Sequence, residues 1–163
     1  MTAYYCTVSN GTGSGYHNAG SPFAIGAIVP AGYAFTVWSG AGTGGIANTH
    51  AANTTCTIYG TSSIQANFAH ILYSVTYSAN AGGGVSGNTS QHGYYGDHLT
   101  AVTASASPGH HFTGWSDGNM SLSRTDTVNG SASYTAGFEI NGPAAPEGTT
   151  NPGYIAWFEV NND

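Results

Sequence analysis

The sequence predicts an all-β protein, built from two tandem small β-repeat domains and an extra C-terminal strand. Three observations lead there. One motif occurs twice, as Gly32-Tyr33-Ala34-Phe35-Thr36-Val37-Trp38-Ser39 and as Gly109-His110-His111-Phe112-Thr113-Gly114-Trp115-Ser116. The segments around it recur in the same order. The 25 Gly, with abundant Thr, Tyr and Val, favour strands joined by tight turns, and no window carries a long apolar repeat at helical spacing.

The first unit covers residues 3–69. Tyr4, Cys6 and Val8 alternate with Tyr5, Thr7 and Ser9, the pattern of a half-buried strand. Asn10-Gly11-Thr12-Gly13-Ser14-Gly15 reads as a Gly-rich turn, with Asn-Gly as a hairpin signal. A second strand is expected from Pro22 to Val29, and Pro30-Ala31-Gly32 turns the chain into the Phe35/Trp38 element. A strand would place Phe35 and Trp38 on opposite faces. A bulge at Thr36-Val37, or at Thr113-Gly114 in the twin, would return both rings to one core. After a small-residue loop from Gly40 to Asn53, strands follow at Thr54 to Tyr59 and Ser63 to Phe68.

The second unit covers residues 72–140. Tyr73, Val75 and Tyr77 take the places of Tyr4, Cys6 and Val8. Ala81-Gly82-Gly83-Gly84 replaces the first Gly-rich turn, Gly96 to Ala104 matches Gly20 to Ile28, and Thr125-Asp126-Thr127-Val128 matches Thr55-Cys56-Thr57-Ile58. Ser133 to Phe138 closes the unit. Its first loop is longer, through Asn88-Thr89-Ser90-Gln91, and its loop after the Trp is shorter. Phe35, Trp38, Phe68, Phe112, Trp115 and Phe138 are therefore the expected structural core.

Residues 141–163 form a Pro/Gly-rich linker and a strand. Tyr154-Ile155-Ala156-Trp157-Phe158-Glu159-Val160-Asn161 echoes Tyr134-Thr135-Ala136-Gly137-Phe138-Glu139-Ile140-Asn141. This surplus closing strand, with Tyr154, Ile155, Trp157, Phe158 and Val160, either adds an edge to its own sheet or pairs with a neighbouring subunit.

Composition excludes several partners. Charged residues are 5% of the chain and the formal net charge is −6, with no Lys and the single Arg124. No basic patch exists for nucleic acid or for anionic membrane surfaces, and no apolar run approaches a membrane span. Met1 to Cys6 lacks the basic and apolar regions of a signal peptide. Without Lys, a Lys–Asn isopeptide staple is excluded. Cys6 and Cys56 fall in the same unit, at positions held by Val75 and Asp126 in the other. They could be a disulfide or two buried thiols; the disulfide is the expectation, closing a long loop.

Chemistry-bearing groups are few. His92, His98, His110 and His111 share a unit with Asp97 and Asp117, a conceivable metal set whose plainer reading is exposed turn polars. Asp117-Gly118-Asn119 begins like a calcium loop but lacks the later ligands. No paired carboxylates, nucleophile with base, or phosphate loop is present, so no catalytic residue, metal or cofactor is expected. Tyr and Trp beside Asn, Asp and His can stack on sugars. Tyr5, Tyr16, Tyr33, Tyr94, Tyr95 and Trp157 are candidates, with Tyr94, Tyr95 and Trp157 foremost; the alternative is packing in the core or on a sheet face. Asn-x-Ser/Thr occurs at Asn10, Asn53, Asn88, Asn119 and Asn129, much of it explained by composition.

The assembled pattern is Tyr-x-Val-Thr, a Gly-rich turn, Gly-x-x-Phe-x-x-Trp, a Thr-rich strand and a closing Ala-x-Phe. It resembles the divergent internalin-type B-repeat of the Listeria–Bacteroides repeat group, in two tandem copies. The second copy matches better, through Tyr73-Ser74-Val75-Thr76, Gly109 to Gly118 and Ala136-Gly137-Phe138. The first departs at Val37, where the pattern has Gly, and at Cys6 and Cys56. The resemblance implies a non-catalytic β module serving as stalk, spacer or adhesive part on bacterial surfaces or phage particles.

The expected function is a structural protein of a phage particle, a head decoration or fibre protein on the virion surface. Its partners would be its own copies or a capsid or fibre protein, in a homo-oligomeric assembly. A surface-suited composition without a leader and the surplus strand lead to this reading. The alternative is a bacterial cell-surface or secreted repeat protein, an adhesin or filament subunit that binds surface glycans.

Overall fold

A computed structural model describes residues 1–41 and 44–142. Among these residues every regular element is a strand. Two compact units share the chain. One comprises Met1–Thr76, Ser90–Ala101 and Thr125–Ser133; the other comprises Tyr77–Thr89, Val102–Arg124 and the described chain from Tyr134 onward.

The first repeat contains β1 (Ala3–Ser9), β2 (Gly11–Thr12), β3 (Gly15–Asn18), β4 (Phe23–Ala27), β5 (Tyr33–Ala41), β6 (Gly45–Ile46), β7 (Asn53–Thr57) and β8 (Ser62–His70). They form two four-stranded sheets, ordered β3-β1-β8-β5 and β2-β4-β7-β6. The central pair β1 and β8 is parallel. The other pairs are antiparallel. Period-two alternation holds along β1: Cys6 and Val8 point inward, Tyr5, Thr7 and Ser9 outward. Ile64 and Ala66 do the same on β8. These side chains meet Ile25, Trp38, Cys56 and Ile58 in one closed core, with Phe35 and Phe68 at its border.

The second repeat contains β9 (Tyr73–Ala79), β10 (Gly83–Gly87), β11 (Ser90–Gly93), β12 (Val102–Ala106), β13 (His110–Trp115), β14 (Ser123–Arg124) and β15 (Ala132–Ile140). Its sheets run β11-β9-β15-β13 and β10-β12-β14. Strand for strand this reproduces the first repeat, except that β6 has no counterpart because the loop after Trp115 is shorter. In the second compact unit Tyr77, Val102, Ala104, Trp115, Ala136 and Phe138 are buried.

The structure departs from the sequence reading in its short strands. The Gly-rich stretches expected as turns contain β2, β3 and β10, and the segment around Ser90-Gln91 is β11 rather than loop. Asn10, in the left-handed region at φ 58°, does not close a two-residue hairpin. Instead it passes the chain from β1 in one sheet to β2 in the other. Gly82 still turns the chain at φ 100°, but Gly11 and Gly83 serve close approach. A Cβ on Gly11 would lie 2.6 Å from the Gly26 carbonyl oxygen and 2.9 Å from the Trp38 ring; one on Gly83 would lie 2.5 Å from the Phe138 ring. The expected linker and assembly strand, with Tyr154, Ile155, Trp157, Phe158 and Val160, lie outside the described residues.

Candidate functional site

The twin motif builds the same feature twice. In the β5–β8 ladder the register slips between Phe35 and Val37, and in the β13–β15 ladder between Phe112 and Gly114. The extra residue is Thr36 in one and Thr113 in the other, so each is a β-bulge. The slip brings Phe35 and Trp38 to the same side, with ring centroids 5.6 Å apart, and Phe112 and Trp115 likewise at 6.2 Å. Trp38 and Trp115 are 2% and 3% exposed. Each indole N–H is satisfied by a loop carbonyl, Ala51 O at 3.0 Å and Ser121 O at 2.9 Å. Phe68 and Phe138 close the clusters against Phe35 and Phe112. These six aromatics hold the repeats together.

The second repeat also buries a charge. Arg124, 2% exposed at its side chain, donates from Nη1 to Asp117 Oδ1 at 3.0 Å and from Nη2 to Oδ2 at 2.8 Å. Its guanidinium lies over the Tyr134 ring at 3.9 Å and near Trp115 at 5.0 Å. A planar bidentate donor with aromatic faces is the geometry Arg satisfies and Lys does not. The Arg124 hydrogen bonds hold the Asp117 carboxyl below its ordinary range, and the Asn119 N–H, donating to it, adds to this. Sequence reasoning set Asp117 beside calcium loops and histidines and missed this pairing. The available signal was that the chain's one Arg must find a carboxylate if it is buried.

The expected disulfide is corrected. Cys6 and Cys56 are both free, buried thiols. They stand on the inward faces of β1 and β7, in facing sheets of one core, where they pack as small apolar groups. Burial pushes both thiols up, and the proximity of Cys56 raises Cys6 further. Beside Cys56, a cavity of about 210 Å³ opens between Trp38, Ile46 and Ile64.

The histidines disperse. His98 Nδ1 meets Thr127 Oγ1 at 3.0 Å, His110 Nδ1 meets Pro108 O at 3.3 Å, and His111 Nδ1 meets Asn141 Oδ1 at 3.2 Å. His92 is exposed on β11. Asp97 accepts from the Tyr94 backbone N–H at 2.8 Å, as a turn cap. Among the described residues no three His, Cys, Asp or Glu side chains converge as a metal site would require. One buried polar group was not foreseen. Gln91 on β11 clamps Thr100, donating from Nε2 to its carbonyl at 2.9 Å while Oε1 accepts from its N–H at 2.8 Å.

The aromatic candidates separate into two sets. Tyr94 stands edge-on to His70, whose ring in turn meets Tyr33. Tyr95 lies against Gly32, where even a Cβ would come within 2.4 Å of its own. Tyr94 and Tyr95 are thus partly committed to packing inside the first compact unit. Tyr5 and Tyr16 sit directly opposite each other on β1 and β3, on the outward face, with centroids 5.1 Å apart and planes at 75°. Trp157 lies outside the described residues.

Compared with known protein families, the chain matches the divergent InlB B-repeat domain twice, over residues 2–72 and 73–142. No curated protein and no solved structure matches it.

Proposed function

Because the chain belongs to the divergent InlB B-repeat family, as two tandem copies, we propose that it is a non-enzymatic structural repeat protein working on an exterior surface. The observation that carries this reading is where the reactive side chains go. Trp38 and Trp115 fill cores, Arg124 and Asp117 are consumed by each other, and Cys6 and Cys56 are sealed between sheets. These side chains are spent on holding two copies of one fold, and the histidines are dispersed rather than gathered at one site.

Assembly is supported by a surplus copy of the β15 sequence. In the second repeat β15 lies between β9 and β13, a strand paired on both sides. A further segment of the same sequence pattern, Tyr154 to Asn161, is suited to pairing of the same kind, and a neighbouring copy or a carrier protein supplies it. On this reading the protein is a head-decoration or fibre component of a phage particle, a homo-oligomer or a binder of capsid protein. The surface of a bacterial cell is the alternative setting, favoured by the membership in a surface-repeat family.

Light scattering of the full chain over a range of concentrations tests the proposal. The intact protein is expected to form an oligomer, and removal of residues 142–163 to yield monomers with both tryptophans still buried by fluorescence. An unchanged oligomer after the deletion overturns strand donation, and turnover on a polysaccharide panel overturns the non-enzymatic reading.

A further inference from the structure

The outward face of the β3-β1-β8-β5 sheet carries chemistry that the fold does not use. Tyr5 and Tyr16 form a cross-strand pair, yet they are 42% and 77% exposed. The same face continues along the strands through Thr7 and Ser63, neighbours in the parallel register, about 7 Å from the level of Tyr5, and on towards about 20 Å at Asn67. It then reaches Gln65 and Asn67 on β8. Asn67 Nδ2 donates to Ser39 Oγ at 2.7 Å and to the Val37 carbonyl at 2.9 Å, which fixes the amide on the sheet. The result is a strip running along the strands, with an aromatic pair at one end, hydroxyls along it and a pinned amide towards the other end.

None of these side chains is charged. The chain has no Lys, its single Arg is buried against Asp117, and its formal net charge is −6. A polyanion meets no cation on this strip and is repelled by the molecule as a whole. A basic partner finds no carboxylate on it. What the strip offers is a π face for an apolar C–H surface and neutral hydrogen-bonding groups beside it. A neutral sugar presents this combination, with axial C–H groups on one face of the pyranose ring and hydroxyls around its rim.

We propose that the outer face of the first repeat, anchored on Tyr5 and Tyr16, is a docking strip for neutral polysaccharide. The second repeat supplies an internal control. Its equivalent pair is Ser74 opposite His92, on the same two strands of the same fold and without an aromatic pair. The inference extends the surface role proposed above and rests on it for access to such a polymer.

The test is affinity electrophoresis of the full chain through gels containing neutral polysaccharides (a β-glucan, a xylan, a galactomannan) or acidic alginate. Retardation by at least one neutral polymer and none by alginate is expected. Tyr16→Ala should weaken it at least tenfold, Tyr16→Trp should restore it, and His92→Ala should leave it unchanged. Because Tyr16 is largely exposed, these variants fold. Absence of retardation in every neutral gel, equal retardation by alginate, or an equal loss in His92→Ala overturns the strip. So does a fall in native mass on Tyr16→Ala, which would make this face a contact between copies. Native mass is measured on the same samples: an intact oligomer that ignores every sugar removes this inference and leaves the assembly proposal standing.

Discussion

The two repeats share a scaffold and differ in what fills it. Both wrap a Phe/Trp pair, both bulge at the Thr between the two rings, and both satisfy the indole with a loop carbonyl. The first repeat fills its centre with Cys6, Cys56, Ile25 and Ile58 and stays uncharged. The second puts Val75 where the first has Cys6 and buries Arg124 under aromatic rings, tied to Asp117. The difference teaches that the shared motif specifies the sheet-to-sheet clamp, while the remaining interior is filled with different chemistry in the two repeats.

The first way to break this comparison is at the clamp. Trp38→Ala and Trp115→Ala should each destabilise their own repeat by about 3–5 kcal/mol, the cost of emptying a buried indole site. Chemical denaturation followed by circular dichroism reads the loss in the mutated repeat, and fluorescence of the other repeat's core Trp reports the unmutated one. Equal loss in both repeats supports a common clamp, and a mutation tolerated in one repeat would show that its motif is decorative there.

The next is the feature the first repeat lacks. Asp117→Asn leaves the buried guanidinium without its counter-charge and should cost up to about 3 kcal/mol in the second repeat, less where solvent reaches the 37%-exposed Asp117 side chain. The pH sign follows from the carboxyl's lowered position. Its folded form holds the proton less well than the unfolded chain does, so the ion pair stabilises at and above ordinary carboxylate pH. That contribution is lost as pH falls through the depressed value. Acid unfolding of the second repeat should therefore flatten in Asp117→Asn, and unaltered acid sensitivity would remove the pair from the account.

The smallest effects sharpen the comparison at the bulge. Gly114 holds φ +123°, and a Cβ there would approach Met120 Sδ at 2.8 Å. Val37 occupies the matching position without positive φ. Gly114→Val should cost about 1–3 kcal/mol for strained backbone, whereas Val37→Gly should cost no more than about 1 kcal/mol through chain entropy. Reversed magnitudes in paired melting curves would show that the two bulges are not conformational variants of one device.

Much of this molecule was legible in the chain. The duplication, the strand-rich class, the inward set Cys6/Val8 and Val75/Tyr77, and a bulge that reunites Phe with Trp follow from local rules of spacing and alternation. Family membership follows from the same residues. The short strands β2, β3, β10 and β11 were not legible, because their pairing comes from neighbours remote in sequence and not from their own Gly-rich composition. The disulfide expectation rested on two cysteines sharing a unit, and co-location in one core proved compatible with free thiols. The Tyr5–Tyr16 pair was visible only as two of several tyrosines until register set them opposite each other.

The sequence by itself determined the local and periodic properties: which residues face inward, where the chain must turn or bulge, and that one unit is used twice. Only the tertiary structure decided the parallel pairing of β1 with β8, the clamp of Gln91 on Thr100 and the enclosure of Arg124 by Asp117, Trp115 and Tyr134. The physical reason is range. Alternation and turn chemistry act between residues a few positions apart. A buried charge or amide is settled by whichever partners the folded chain brings to it, since leaving it unpaired away from water costs more than almost any local preference can supply.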